Sequence, residues 1–174
     1  MLVVLFLTRR IKAERVGTNT LPPMPDDGGV AYYSTTGSWS ENTELMVSAS
    51  GGTVKAFAGT VYSPSVPTPI SPAPPSGKTR ISIPRNADFV VTWQNAASQA
   101  GILLTVQYST TLIQCLAPDS AGTISVPASL LAPIPTGAAA GNALSLTAIA
   151  TSQADAGGSL VDLACWTSVA WIFD

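Results

Sequence analysis

The chain of 174 residues contains no histidine, only two cysteines, and a charged fraction of 10%. Each shortage removes a class of function. Without imidazole there is no Ser-His-Asp triad and no Cys-His pair, because both need a base that titrates near neutrality. Imidazole ligation of zinc, copper or iron is excluded as well. Cys115 and Cys165 stand far apart and form no CxxC pair, so neither a zinc knuckle nor a thioredoxin-type motif has support. No stretch is long and apolar enough for a transmembrane helix, which needs about 20 such residues. A net charge of −2 gives no footprint for nucleic acid.

What is present points to a β-scaffold. Hydrophobic residues make up 46% of the chain, enough to build a core, and 14 Gly and 14 Pro punctuate short runs rich in Val, Ile, Thr and Trp. The charge is unevenly spread. Residues 1–15 carry Arg9, Arg10, Lys12 and Arg15 against Glu14, whereas the remainder holds four bases and nine acids. The apolar run Met1–Leu7 is followed at once by basic residues, the reverse of a signal peptide. Three readings stay open for it: the remnant of an export signal that begins upstream, a short strand, or a disordered tail. The first is favoured. Val16–Gly29, with Pro22-Pro23-Met24-Pro25 and Asp26-Asp27-Gly28-Gly29, reads as a linker. Residues 1–29 are therefore set apart from a single folded domain over 30–174.

Within that domain the pattern is strand, turn, strand. Leu45, Val47 and Ala49 share one face, Gly51-Gly52 reads as a hairpin turn, and Thr53–Phe57 as the return strand, extended by Thr60–Tyr62 with Gly59 as a bulge. The Pro-rich segment 63–77 reads as an extended crossover or edge, since proline cannot donate to a ladder. A boundary between two small domains is the other reading, less favoured because residues 30–63 alone bury too little surface. Alternation then follows at Ile81 and Ile83; Phe89, Val91 and Trp93; Leu104, Val106 and Tyr108; Ile113 and Cys115; Ile124 and Val126; and from Leu144 to Ile149. The longest run places Val161, Leu163, Cys165, Val169, Trp171 and Phe173 on one parity, with Thr167 its one polar member. Only Val126–Ala132 hints at helix, between Pro127 and Pro133. The expected fold is an all-β antiparallel sandwich of about seven to nine strands with at most one short helical turn. Cys115 and Cys165 both fall on inward parity, which favours a disulfide over two buried free thiols. Such a bond would close a loop of about 50 residues and stabilise by roughly 4 kcal/mol at most.

Three stretches carry a family resemblance: Val47–Phe57 (VSASGGTVKAF), Ile83–Trp93 (IPRNADFVVTW) and Cys115–Leu131 (CLAPDSAGTISVPASLL). In that order they resemble an uncharacterised immunoglobulin-like β-sandwich domain of secreted and lipoprotein-like bacterial envelope proteins of the myxobacterial type. The resemblance implies export, an immunoglobulin-like sandwich and one core disulfide. It supplies no catalytic or ligand residue. The lipobox or full signal peptide that it implies does not stand at the N-terminus.

Candidate chemistry is sparse. Asp88, Asp119, Asp155 and Asp162 fall in loops or on outward positions, and Asp119 in Pro118-Asp119-Ser120-Ala121-Gly122 reads as a turn residue. A glycosidase pair would need two carboxylates to converge. Calcium near Asp155–Asp162 would have only two acids. The Gly-Gly steps form no phosphate-binding loop and read as turns. No catalytic residue, cofactor or metal is therefore assigned. Trp93 and Trp171 have core parity, while Trp39 and Trp166 are the candidates for exposure and for stacking on a sugar ring or a partner protein. Packing beneath the Pro-rich segment explains those two equally well. The functional expectation is a non-enzymatic, exported structural or interaction module of the bacterial cell envelope. Its rivals are a carbohydrate-binding module using Trp39 or Trp166, and a self-assembling subunit joined by N-terminal strand addition.

Overall fold

The computed structural model describes residues 40–49, 55–73, 80–94, 99–136 and 142–174, and the backbone of strand residues 2–7, 13–16, 19–20 and 31–36. The fold is an all-β sandwich of antiparallel sheets, as the alternation requires. The chain divides into two compact units: Met1–Ser65 with Ile149–Thr167, and Val66–Ala148 with Ser168–Asp174. Where the sequence reading has one domain over 30–174, the division falls just inside the Pro-rich segment.

In the first unit, β1 (Leu2–Leu7), β2 (Ala13–Val16) and β3 (Asn19–Thr20) lie in residues 1–29, expected to be tail and linker, and β4 (Ala31–Thr36) opens the expected domain. The Met1–Leu7 run thus contains a strand, the second of its three readings. β5 (Thr43–Ala49) and β6 (Phe57–Ser63) complete a four-stranded sheet in the order β3-β2-β5-β6. The return strand, expected over Thr53–Phe57 with an extension at Thr60–Tyr62, runs over Phe57–Ser63 and so includes the extension; residues 50–54 with the Gly51-Gly52 turn lie outside the described residues. Asn42, in the left-handed region at φ 58°, leads into β5 and its N–H donates to the Ser63 carbonyl at 2.7 Å.

Gly59 is not a bulge. It pairs with Val47 in an unbroken register from Thr43–Ser63 to Ala49–Phe57. The reason for glycine is a close approach instead: a Cβ there would lie 2.8 Å from Ala154 Cβ and 3.0 Å from Leu163 Cδ1. Both neighbours come from the hairpin of β12 (Ala143–Asp155) and β13 (Leu160–Trp171), strands that run through both units. Its loop is Gly157-Gly158, with φ of +67° and +93°, and the Ala156 N–H donates to Ser159 O at 2.8 Å. Positive φ at both central residues is what a two-residue type I′ turn requires. Leu45, Val47, Ala49, Phe57, Val61, Val161, Leu163 and Cys165 are buried in this unit, those of each strand on one parity, with Ala164 buried as well. β1 pairs with β13 on one side and β4 on the other, both antiparallel.

The second unit contains β7 (Thr68–Ser71), β8 (Phe89–Gln94), β9 (Gly101–Tyr108), β10 (Thr111–Pro118) and β11 (Thr123–Val126). Strand orders are β10-β9-β12 and β11-β8-β7. The core holds the residues expected from period two: Phe89, Val91, Trp93, Leu104, Val106, Ile113, Ile124, Val126, Leu144 and Leu146. The helical turn α1 (Ala128–Leu131) follows Pro127 and buries Leu131. β7 lies at a sheet edge, where Pro69 is tolerated. The alternation at Ile81 and Ile83 buries both residues but does not build a strand. Ile81 forms one parallel bridge to Phe173, and Pro84, lacking an N–H, soon ends the run.

Filling the space beside Gly59 is expected to be costly. Gly59→Val should lower unfolding free energy by about 1–3 kcal/mol through overpacking. A urea midpoint that falls with an unchanged slope is the expected outcome. An unchanged midpoint contradicts the close approach to Ala154 and Leu163.

Candidate functional site

Several described polar side chains of these strands and loops hold neighbouring backbone or side chains in place. Asp119 opens a 3-10 turn, Asp119–Ala121, closed by Gly122 at φ 64°. It is a turn residue, as expected, but it is also 1% exposed. Its Oδ1 accepts the indole N–H of Trp93 at 2.8 Å, and its carbonyl lies 3.2 Å from the same donor. A buried Trp needs an acceptor for that N–H. The core parity of Trp93 was the available signal, but nothing local in the sequence connects it to a residue 26 positions away.

The other aspartates are engaged in the same way. Asp88 Oδ1 accepts the backbone N–H of Ala128 at 2.9 Å, satisfying a donor that the first turn of α1 leaves open. Asp155 Oδ1 accepts the N–H of Gly158 at 2.8 Å and so braces the β12–β13 turn. Asp162 Oδ1 accepts from Gln153 Nε2 at 2.8 Å across the same hairpin. The Asp155–Asp162 region considered for calcium therefore holds two carboxylates already bonded within the hairpin. Among the described residues, no group of three or more His, Cys, Asp or Glu is placed to hold a metal ion.

Arg85 is the least legible of these groups. Its guanidinium donates to the carbonyls of Ile83, of Ile134 (3.0 Å), of Pro135 (3.2 Å) and of Asp174 (3.1 Å). It also lies 5.9 Å from the centre of the Phe173 ring. Only a rigid, planar fork of donors can reach several carbonyls at once, a task lysine performs poorly. Arg85 joins the loop after Ile83, the loop after α1 and the end of the chain's last bridge.

Of the two candidate stacking residues, only Trp166 is described. Trp39 lies outside the described residues. Trp166 is half-buried on β13, opposite Leu2 of β1. Trp171, expected in the core, is partly buried and packs against the second unit's core. Thr167, the polar member of the β13 face, is buried and donates to Ser65 O at 2.7 Å.

The expected disulfide is not formed: Cys115 and Cys165 are both free thiols. Inward parity placed each thiol correctly on its own strand, but Cys115 falls in the second unit and Cys165 in the first. Cys115 is partly buried against the second unit's core, and Cys165 is fully buried in the first. Burial raises both thiol pKa values. That of Cys165 reaches about 11, with desolvation outweighing a hydrogen bond to Ser63 that favours the thiolate.

Compared with known protein families, with curated proteins and with solved structures, the chain shows no match.

Thiol labelling tests this placement. At pH 8 a thiol of pKa near 11 is about one-thousandth thiolate, so Cys165 should resist a thiol reagent until the protein unfolds. Cys115 should label first in native protein without prior reduction. Failure of both to label in denaturant until a reductant is added would instead reveal the disulfide.

Proposed function

We propose that the chain is a non-enzymatic structural or interaction module, exported to the bacterial cell envelope and immunoglobulin-like in type. The observation that carries the non-enzymatic part is the use of Asp88, Asp119, Asp155 and Asp162. Each is hydrogen-bonded within the scaffold, and they serve three separate places: the start of α1, the Trp93 indole and the β12–β13 hairpin. General acid–base chemistry needs a carboxyl group aimed at a substrate, and two of them converging for glycoside cleavage. A carboxylate held by the scaffold's own backbone N–H groups or side chains is poorly suited to either task.

The envelope assignment rests on the three stretches that resemble exported domains and on a lightly charged surface rich in Ser, Thr and Ala. It draws nothing from a disulfide. Joining of subunits by N-terminal strand addition has a weaker footing, because β1 occupies a place between β13 and β4 of its own chain. For a carbohydrate-binding role, the described candidate Trp166 offers a half-buried indole.

Fractionation of the native cells, with an antibody against this chain, tests the localisation. Recovery in the envelope or culture medium is the expected outcome. Recovery with the soluble cytoplasmic proteins overturns the proposal.

A further inference from the structure

We infer that the edge of β10 away from β9, with which no described strand pairs, is a docking surface for a second copy of this chain, paired antiparallel about a two-fold axis at Gln114. Three described strands of the second unit end a sheet: β7, β11 and β10. Exposed edges invite pairing, and proteins protect them with proline, charge, bulges or shortness. β7 carries Pro69, with Pro67 and Pro72 on either side. β11 has only four residues and runs into Pro127. β10 has none of these protections along its length. Its eight residues keep an unbroken register with β9, from Thr111–Tyr108 to Pro118–Gly101. None of them is charged, and the only proline is the last residue.

The exposed side chains of this strand are unusually apolar. Leu112 is 55% exposed and Leu116 72%, with exposed Gln114 between them. Two leucines this bare on one edge strand are what a pairing surface presents before it is covered.

The pattern of the strand specifies the occupant. Read outward from Gln114, the sequence Leu112-Ile113-Gln114-Cys115-Leu116 has leucine two places away in both directions and a small or branched apolar residue next to the centre on both sides. An antiparallel copy centred there sets Leu112 opposite Leu116, Ile113 opposite Cys115, and Gln114 opposite itself. Every contact then occurs twice, as an isologous interface demands. The facing Gln114 amides can each donate and accept. Charge agrees: a charged residue near a two-fold axis meets its own copy at close range, and Thr111–Pro118 has none. A charged peptide would find no counter-charge on this edge. Edge-to-edge contacts of this length fall at the small end of specific interfaces, below about 1,200 Å², so the dimer is reversible and forms at micromolar concentrations or above. The inference stands on β10 alone and does not depend on export or on the envelope assignment.

Sedimentation equilibrium of the 174-residue chain is the test. Wild type should show a reversible monomer–dimer equilibrium. Leu116→Lys changes a side chain already 72% exposed, so circular dichroism and thermal unfolding should stay unchanged. It places two new charges in the paired edge and should weaken dimerisation at least about tenfold. Independently, Gln114→Cys in a Cys115→Ser background should give a disulfide-linked dimer on mild oxidation, because the axis brings the two new thiols together. A wild-type chain that remains monomeric at hundreds of micromolar, on the order of the weakest specific association, overturns the inference. So does a dimer that Leu116→Lys leaves intact, or the absence of the Gln114→Cys cross-link.

Discussion

Burial of every second side chain along paired strands is the constraint on which the rest of this structure depends. A strand can face a core with one parity only, and a slip of one residue would turn its whole apolar set outward. Phe89, Val91 and Trp93 on β8, and Leu104 and Val106 on β9, obey that rule within one core. Val161, Leu163, Cys165 and Thr167 extend it along β13. Thr167 is the informative member, because a polar group on the buried parity must find a partner. It does so at the carbonyl of Ser65. The same accounting explains Asp119 beneath Trp93: a large aromatic supplies buried area, and its N–H then fixes what must lie beside it.

Scarcity of charge gives the few charged side chains of the described loops a structural character. Arg85 gathers carbonyls from two segments distant in sequence, Ile134-Pro135 and Asp174. Asp88 caps a four-residue helical turn across a separation of 40 residues. Hydrogen bonds involving a charged partner are stronger than neutral ones, and losing one partner costs about 1.5–3 kcal/mol or more when the other stays buried. A scaffold with few such groups concentrates that contribution in its loops, where hydrophobic area is least available. Catalysis would demand that the same groups be released from these bonds.

The fold class was legible because period two is a local signal. Glycine pairs and prolines marked turns and an edge for equally local reasons, as Gly157-Gly158 and β7 illustrate. What could not be read were relations between distant segments. Gly59 looked like a bulge because its constraint comes from Ala154 and Leu163, about a hundred residues away. Cys115 and Cys165 shared an inward parity, yet parity says nothing about which core a strand enters. The bonds of Arg85 span up to 89 residues and leave no trace in local pattern. Of the candidate site residues, Trp166 proved half-buried, and the edge that matters most, β10, was seen in the sequence only as another alternating run. Its lack of protection becomes meaningful only when the sheet order shows that nothing described pairs with its far side.

Among the described sheet edges of the second unit, β7 and β11 are protected and β10 is not. Amide hydrogen exchange of the whole chain, followed at two protein concentrations, tests this most directly. The account predicts slow exchange throughout β9 and β8 at both concentrations. In β10, the amides that point away from β9 should exchange quickly in dilute solution and slow down in concentrated solution. Fast exchange in β8 and β9 would contradict the buried cores, and β10 protection that ignores concentration would contradict the open edge.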